Sequence, residues 1–287
     1  LSDADGITAN GSVRVVSCDL LISVVEPAEI VLQLVAAGSA GQVLDERFTI
    51  DVGDGQTPLL AEELVVGGHR SKMHILSSGP GPLRVGYRSE VRAGVPGTMG
   101  RPVGPPPSYD QQVYLRPSRY CPSDHLVGFA VAEFGVGSDI SGRVDAITEW
   151  IRTRIGYVSG SSSVHDSAED TLLTATGTCR DFAHLAIALC RATGIPARFA
   201  AVYAPGLSPM DFHAVFETCV AGTWYVHDAT GLAPRSSLVR IATGRDAADT
   251  AFVSVTRGIA SLEELQVTAT VVGLLPADDH TQRALLA

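Results

Sequence analysis

Apolar and polar residues follow two different rhythms along the chain. From residue 12 to 92 the apolar residues come in short alternating runs, SVRVVSCDLLISVV, EIVLQLVA, QVLDERFTIDV, LLAEELVV, SKMHILS and PLRVGYRSEVRA. These are cut by Glu26-Pro27 and by glycine clusters at 38 to 41, 53 to 55, 67 to 68 and 79 to 82. Alternation with period two, interrupted by Gly and Pro, predicts strands joined by turns. Six or seven strands at this spacing predict an antiparallel β-sandwich. LLAEELVV alone also fits a short helical turn. Residues 93 to 108, AGVPGTMGRPVGPPPS, are rich in Pro and Gly without any period and predict a linker between domains. The boundary is expected near 105, with a β-sandwich at 1–105 and a second domain at 106–287.

Beyond the linker the period lengthens. HLVGFAVAEF fits a short helix. SGRVDAITEWIRTRI sets Val144, Ile147, Ile151 and Ile155 on one face, with Ser141 as the expected N-cap. After a Ser-rich loop, a short helix is expected near 167 to 173. TATGTCRDFAHLAIALCRATGIP then reads as loop, helix and stop: Phe182, Leu185, Ala186 and Leu189 recur at i, i+3, i+4 and i+7, Gly177 and Thr178 break and cap, and Gly194 with Pro196 ends the helix. ARFAAVYAP is a strand. MDFHAVFETCVAGTWYVHDATG alternates on both sides of Ala221-Gly222, which predicts a hairpin with strands near 211 to 220 and 223 to 229. A strand near 250 to 256 and a final one in LEELQVTATVVG complete the pattern.

The chemistry concentrates between 174 and 230. Cys179 falls in the first turn of its helix, where unpaired N–H groups and the positive end of the helix dipole favour an anion by about 0.3–1 kcal/mol when exposed. A two-residue turn at Ala221-Gly222 makes opposed hairpin positions sum to 443, so Val215 faces Asp228. His213, two residues along, shares its face with Asp228 as a diagonal neighbour. Asp228 is thereby placed to orient His213, and His213 to take the Cys179 proton. Each residue also has a plainer reading. Cys179 could be a buried apolar thiol, His213 a core histidine and Asp228 a turn cap. Cys121, Cys190 and Cys219 are expected in the core. His227 must face away from Asp228, His184 is expected to brace another element, and the His165-Asp166 pair lies in a solvated loop.

GTCRDFAHL, MDFHAVFE and GTWYVHDATG, in this order, resemble the Cys, His and Asp boxes of the transglutaminase-like superfamily, in the bacterial branch often labelled cysteine proteases. RPSRYCPSD at 116 to 124 and RIATGRDAADTAF resemble the opening and closing segments of such domains. The resemblance implies an α+β chain whose second domain is a papain-like transglutaminase core. It also implies a catalytic triad of Cys179, His213 and Asp228 that acts on amide bonds of a protein or peptide substrate. Water as acceptor makes a protease, peptidase or deamidase, and an amine makes a transglutaminase. Some transglutaminases use an upstream tryptophan as an oxyanion donor, but Trp150 lies inside an expected helix and is not assigned that role.

Composition narrows the partners. A net charge of −10, with no cluster of Lys and Arg, argues against nucleic acid. No stretch approaches the ~20 consecutive apolar residues of a membrane span, and LSDADGITAN lacks the basic and apolar regions of an export signal. Five cysteines, odd in number and scattered, suit reduced thiols and the cytoplasm. Neither C-x-x-C knuckles nor an H-x-x-x-H pair is present and there is no calcium loop, so neither a metal nor another cofactor is expected. Two other functions fit the same residues. One is a binding or scaffold protein that recognises its partner through the sandwich and leaves the triad unused. The other is transfer from a small acyl donor, as in the related arylamine acetyltransferases, which needs a narrow apolar pocket.

Overall fold

A strand alternates in sequence because one of its faces is covered, and the first strand does so over its whole length. The computed structural model describes residues 11–53, 61–93 and 107–286, so the linker expected at 93 to 108 lies, apart from its ends, outside the described residues. Strand β1 (Val13–Leu32) buries every second residue from Arg14 to Val24 and again from Ala28 to Leu32. Strands β2 (Gln42–Asp51), β3 (Glu62–Val66), β4 (Ser71–Ser78) and β5 (Gly81–Arg92) follow, and the whole is one curled antiparallel sheet in the order β2-β5-β1-β4-β3. β5 pairs with residues 13 to 24 of β1 and β4 with residues 28 to 32. The handover falls at Glu26-Pro27, where proline has no N–H to give a ladder. LLAEELVV, which also fitted a helical turn, supplies the strand β3.

The central part of the chain is helical: α1 (Pro107–Val113), α2 (Val127–Phe134) and α3 (Ile140–Arg154). α3 starts earlier than expected, and its N-cap is Asp139 rather than Ser141: the Asp139 carboxylate accepts from Gly142 N–H at 2.9 Å. A two-residue strand β6 (Gly156–Tyr157), helix α4 (Ala168–Thr174) and a second short strand β7 (Thr176–Gly177) lead into α5 (Cys179–Ala192). Every residue of α5 from Asp181 to Arg191 is buried. A helix covered on all sides belongs to a core, and α5 packs against α2, α3 and α4 and against a second sheet.

That sheet runs β10-β9-β8-β11, from β8 (Ala197–Tyr203), β9 (Phe212–Val220), β10 (Thr223–His227) and β11 (Val239–Gly244). β11 was not foreseen. The segments expected near 250 to 256 and in LEELQVTATVVG are one strand, β12 (Val253–Val271), which pairs with β1 from Arg14 to Leu32 and so returns to the first sheet. The first sheet's core continues into Tyr203, Val239 and Ile241 of the second, where the Tyr203 hydroxyl donates to Leu34 O at 2.8 Å.

Three neighbouring strands of the second sheet are joined by a buried charge cluster. Arg198 of β8 and Arg240 of β11 both donate to Glu217 of β9, with N···O distances of 2.8 to 2.9 Å. Arg240 also reaches Leu286 O at 3.0 Å, and the Arg198 guanidinium lies 4.0 Å from the Trp224 ring centroid. Glu217 is held well below the usual carboxylate range: burial opposes its charge, but the two guanidiniums outweigh it. Removing one member of such a cluster strands the others. Glu217→Ala is expected to lower stability by about 3–5 kcal/mol, read as a shift of the urea midpoint at unchanged m-value.

Candidate functional site

Local backbone chemistry fixes the thiol. β6 and β7 pair in parallel and aim the chain into the first turn of α5. Thr178 is the N-cap, in a reciprocal capping box with Asp181, whose Oδ2 accepts from Thr178 N–H at 2.8 Å and from its hydroxyl at 2.9 Å. Gly177 is required by close approach, since a Cβ there would lie 2.7 Å from Asp181 Cβ. Asp181 Oδ1 accepts from Ser162 at 2.9 Å and from Arg180, and Arg180 in turn reaches the Ser162 hydroxyl and Ser163 O. The charge next to the thiol is thus spent on the cap and on Arg180. Burial opposes it, but the Thr178 and Ser162 hydrogen bonds and Arg180 lower the Asp181 pKa.

The hairpin brings up the other two groups. Thr223 pairs with Val220, Trp224 with Cys219 and so on to His227 with Phe216, each pair summing to 443. The turn is closed by Ala221 at φ 50° and Gly222 at φ 81°, both in the left-handed region of a type I′ turn. In this register His213 Nε2 lies 3.0 Å from Asp228 Oδ2, with both side chains buried. Asp228 Oδ1 meanwhile accepts from Thr230 N–H at 2.9 Å and from its hydroxyl at 2.7 Å, so the same carboxylate caps the turn and holds the ring. Burial works against the charge on His213, yet the Asp228 carboxylate and its hydrogen bond, with Cys179 adding to them, raise the His213 pKa. Burial likewise opposes ionised Asp228, but His213 and Thr230 depress its pKa. His213 Nδ1 is buried and makes no full hydrogen bond, leaving one nitrogen of the ring uncommitted.

Cys179 and His213 share a cavity of about 470 Å³ whose walls include Phe199, Phe212 and Phe252. Burial first, and then the Cys179 and Asp211 charges, push the Tyr157 hydroxyl up to about 12. Periodicity did not single out Tyr157. Its signal was positional, an aromatic residue in the extended pair that leads to the thiol. Trp150 packs between Phe129 and Phe134, at 5.5 and 6.1 Å.

The other expected candidates lie elsewhere. Cys121, Cys190 and Cys219 are buried, and all five thiols are free. His184 braces, as its helical position suggested: its Nε2 accepts from Ala247 N–H at 3.2 Å, its ring stacks on Tyr120 at 5.0 Å, and burial lowers its pKa to about 3. His227 pairs with Thr218 at 2.9 Å on the far face of the hairpin. Among the described residues there is no cluster of three metal-ligating side chains, and no helix is long and apolar enough to cross a membrane.

The model of the transglutaminase-like superfamily matches residues 131–229, which contain all three residues. A crystal structure from Cytophaga hutchinsonii, described as that of a "Putative Cysteine Protease", is 35% identical. It superposes with a TM-score of 0.82 over 93% of this chain and 92% of its own. An uncharacterized protein of Mycobacterium leprae is 27% identical over 148 residues, 48% of this chain; the chain spans about half, 52%, of the length of that curated relative.

The Asp228–His213 pair sets a pH window. A raised histidine stabilises the fold fully below its unfolded value of about 6.5 and loses this as pH rises through the folded value; a depressed aspartate contributes above about 4 and loses this as pH falls through its folded value. In ¹⁵N-histidine NMR, His213 is expected to stay protonated through neutral pH. Asp228→Asn is expected to let burial dominate and bring its titration below that of wild type; an unmoved His213 titration would contradict the pairing.

Proposed function

The chain belongs to the transglutaminase-like superfamily, and from that premise we propose that it is a thiol acyl-transfer enzyme acting on amide bonds through Cys179, His213 and Asp228. The observation that carries the reading is the buried His213–Asp228 pair at 3.0 Å, set in one cavity with a half-buried cysteine at a helix start. A buried carboxylate that keeps a histidine charged supplies the partner a thiolate needs.

The steps follow from the placement. Cys179 Sγ attacks the amide carbonyl as a thiolate, and the C–S bond forms while negative charge gathers on oxygen. Cys179 N–H, at the positive end of α5, is the donor to that oxyanion. The His213 imidazolium gives its proton to the leaving nitrogen as the C–N bond breaks. Neutral His213 then deprotonates the acceptor that attacks the thioester. With water the products are a carboxylic acid and an amine, the outcome of a peptidase or deamidase. With an amine, a new amide forms, as in a transglutaminase. The substrate is a protein or peptide. The five free thiols suit a reducing compartment such as the cytoplasm.

Incubation with p-nitrophenyl acetate is expected to give a burst of nitrophenol near one equivalent and acetylated Cys179 by peptide mass spectrometry. Cys179→Ala abolishes the burst, and His213→Ala slows it by on the order of 10²-fold or more. Added butylamine, converted or not to its acetamide, assigns the acceptor. A burst that survives Cys179→Ala, or a Cys179 that is never acetylated, would overturn the reading.

A further inference from the structure

The cavity next to Cys179 has a chemistry of its own. Its walls include the rings of Phe199, Phe212 and Phe252, and the small residues Ala247, Ala248 and Ala251 line it beside them. At about 470 Å³ it holds one or two residues of a peptide and is too small for a folded segment. Its wall at 247 to 251 is not slack: His184 accepts from Ala247 N–H, and Asp246 accepts from Ala248 N–H at 2.9 Å and from Tyr120 N–H at 2.9 Å.

Two guanidiniums stand at the rim. Arg180 and Arg119 lie within 5.8 and 5.0 Å of the Tyr120 ring centroid, and that ring is itself fixed by its hydroxyl donating to Val164 O at 2.8 Å and by stacking on His184. Arg180 spends its charge on Asp181. Arg119 is exposed and has no carboxylate within ion-pair distance among the described residues. Arg119 is thus a cation with no acidic partner among the described residues, set beside an aromatic ring and lining the same largely apolar cavity as Cys179.

Resting on the acyl-transfer reading above, we propose that the site selects a peptide with an apolar side chain next to the reacting carbonyl and a carboxylate within reach of Arg119. The apolar group fills the Phe199–Phe212–Phe252 pocket, and the guanidinium takes the carboxylate, bidentate where geometry allows. Arg119 is a specificity residue. The carboxylate is either a free C-terminus or an acidic side chain, and both present the same fork to Arg119.

The test measures alkylation of Cys179 by mass spectrometry with N-iodoacetyl-leucine, N-iodoacetyl-leucinamide, N-iodoacetyl-glycine, and N-iodoacetyl-leucyl-aspartic acid α-amide, whose only carboxylate is on the side chain. Iodoacetamide is the reference. At least one of the carboxylate-bearing leucine reagents is expected to react faster than leucinamide by on the order of tenfold, and leucine faster than glycine. If iodoacetyl-leucine leads, the carboxylate is a C-terminus; if the aspartyl reagent leads, it is a side chain. Arg119→Gln should erase the preference for charge and keep the preference for leucine, while Arg119→Lys retains part of both. A Cys179 that reacts with iodoacetamide but ranks all four reagents equally would overturn this proposal and leave acyl transfer standing. A Cys179 inert to every reagent would overturn both.

Discussion

A helix without a free face governs the site. Along α5, Asp181 to Arg191 are buried, and each large apolar side chain among them is worth about 1.5–3 kcal/mol by its removal from water. α5 therefore cannot rotate or slide without opening the core it shares with α2, α3 and β9. Its first turn inherits that rigidity, which puts the Cys179 backbone N–H and thiol at one place on the wall of the cavity. The capping box does the rest. Asp181 accepts from the Thr178 N–H and pairs with Arg180, so the carboxylate two residues from the thiol is already paired. The same burial makes His184 and Arg191 structural: Arg191 donates to Ala197 O at 2.9 Å and to Ser118 at 3.0 Å, fastening the segment that leads to Arg119.

The hairpin adds a second constraint of a different kind. A slip of one residue would send His213 and Asp228 to opposite faces. The type I′ turn at Ala221-Gly222 sets the register, and the Arg198–Glu217–Arg240 cluster locks β9 to both β8 and β11. Register, rather than sequence proximity, is what turns two residues 15 apart into a 3.0 Å pair.

Local signals were readable in the sequence, and long-range ones were not. The extent of α5, the hairpin turn and the shared face of His213 and Asp228 all depend on residues within a few positions of each other, and the alternation of β1 announced a covered face. The sequence predicts two strands within β12 because the break in pattern near Gly258 looks like a turn, whereas pairing with β1 from Arg14 to Leu32, bulged around Glu26, carries the strand through. β11 escaped because a mostly buried strand has no alternation to show. Asp139 outcompeted Ser141 as a cap by lying where the helix starts. The cavity is illegible for a related reason: its small residues Ala247, Ala248 and Ala251 take on meaning only once β8 and β9 bring Phe199 and Phe212 beside them.

The central claim is that His213 governs the reactivity of Cys179, and the pH dependence of iodoacetamide alkylation, resolved for each of the five cysteines by peptide mass spectrometry, tests it most directly. Cys179 alone is expected to react fast below pH ~7, where an ordinary thiol with a pKa of about 8.5 reacts slowly, and to lose that advantage in His213→Ala while Cys18, Cys121, Cys190 and Cys219 stay protected by burial. A Cys179 that follows the profile of an ordinary thiol, or reacts equally well without His213, would contradict the account.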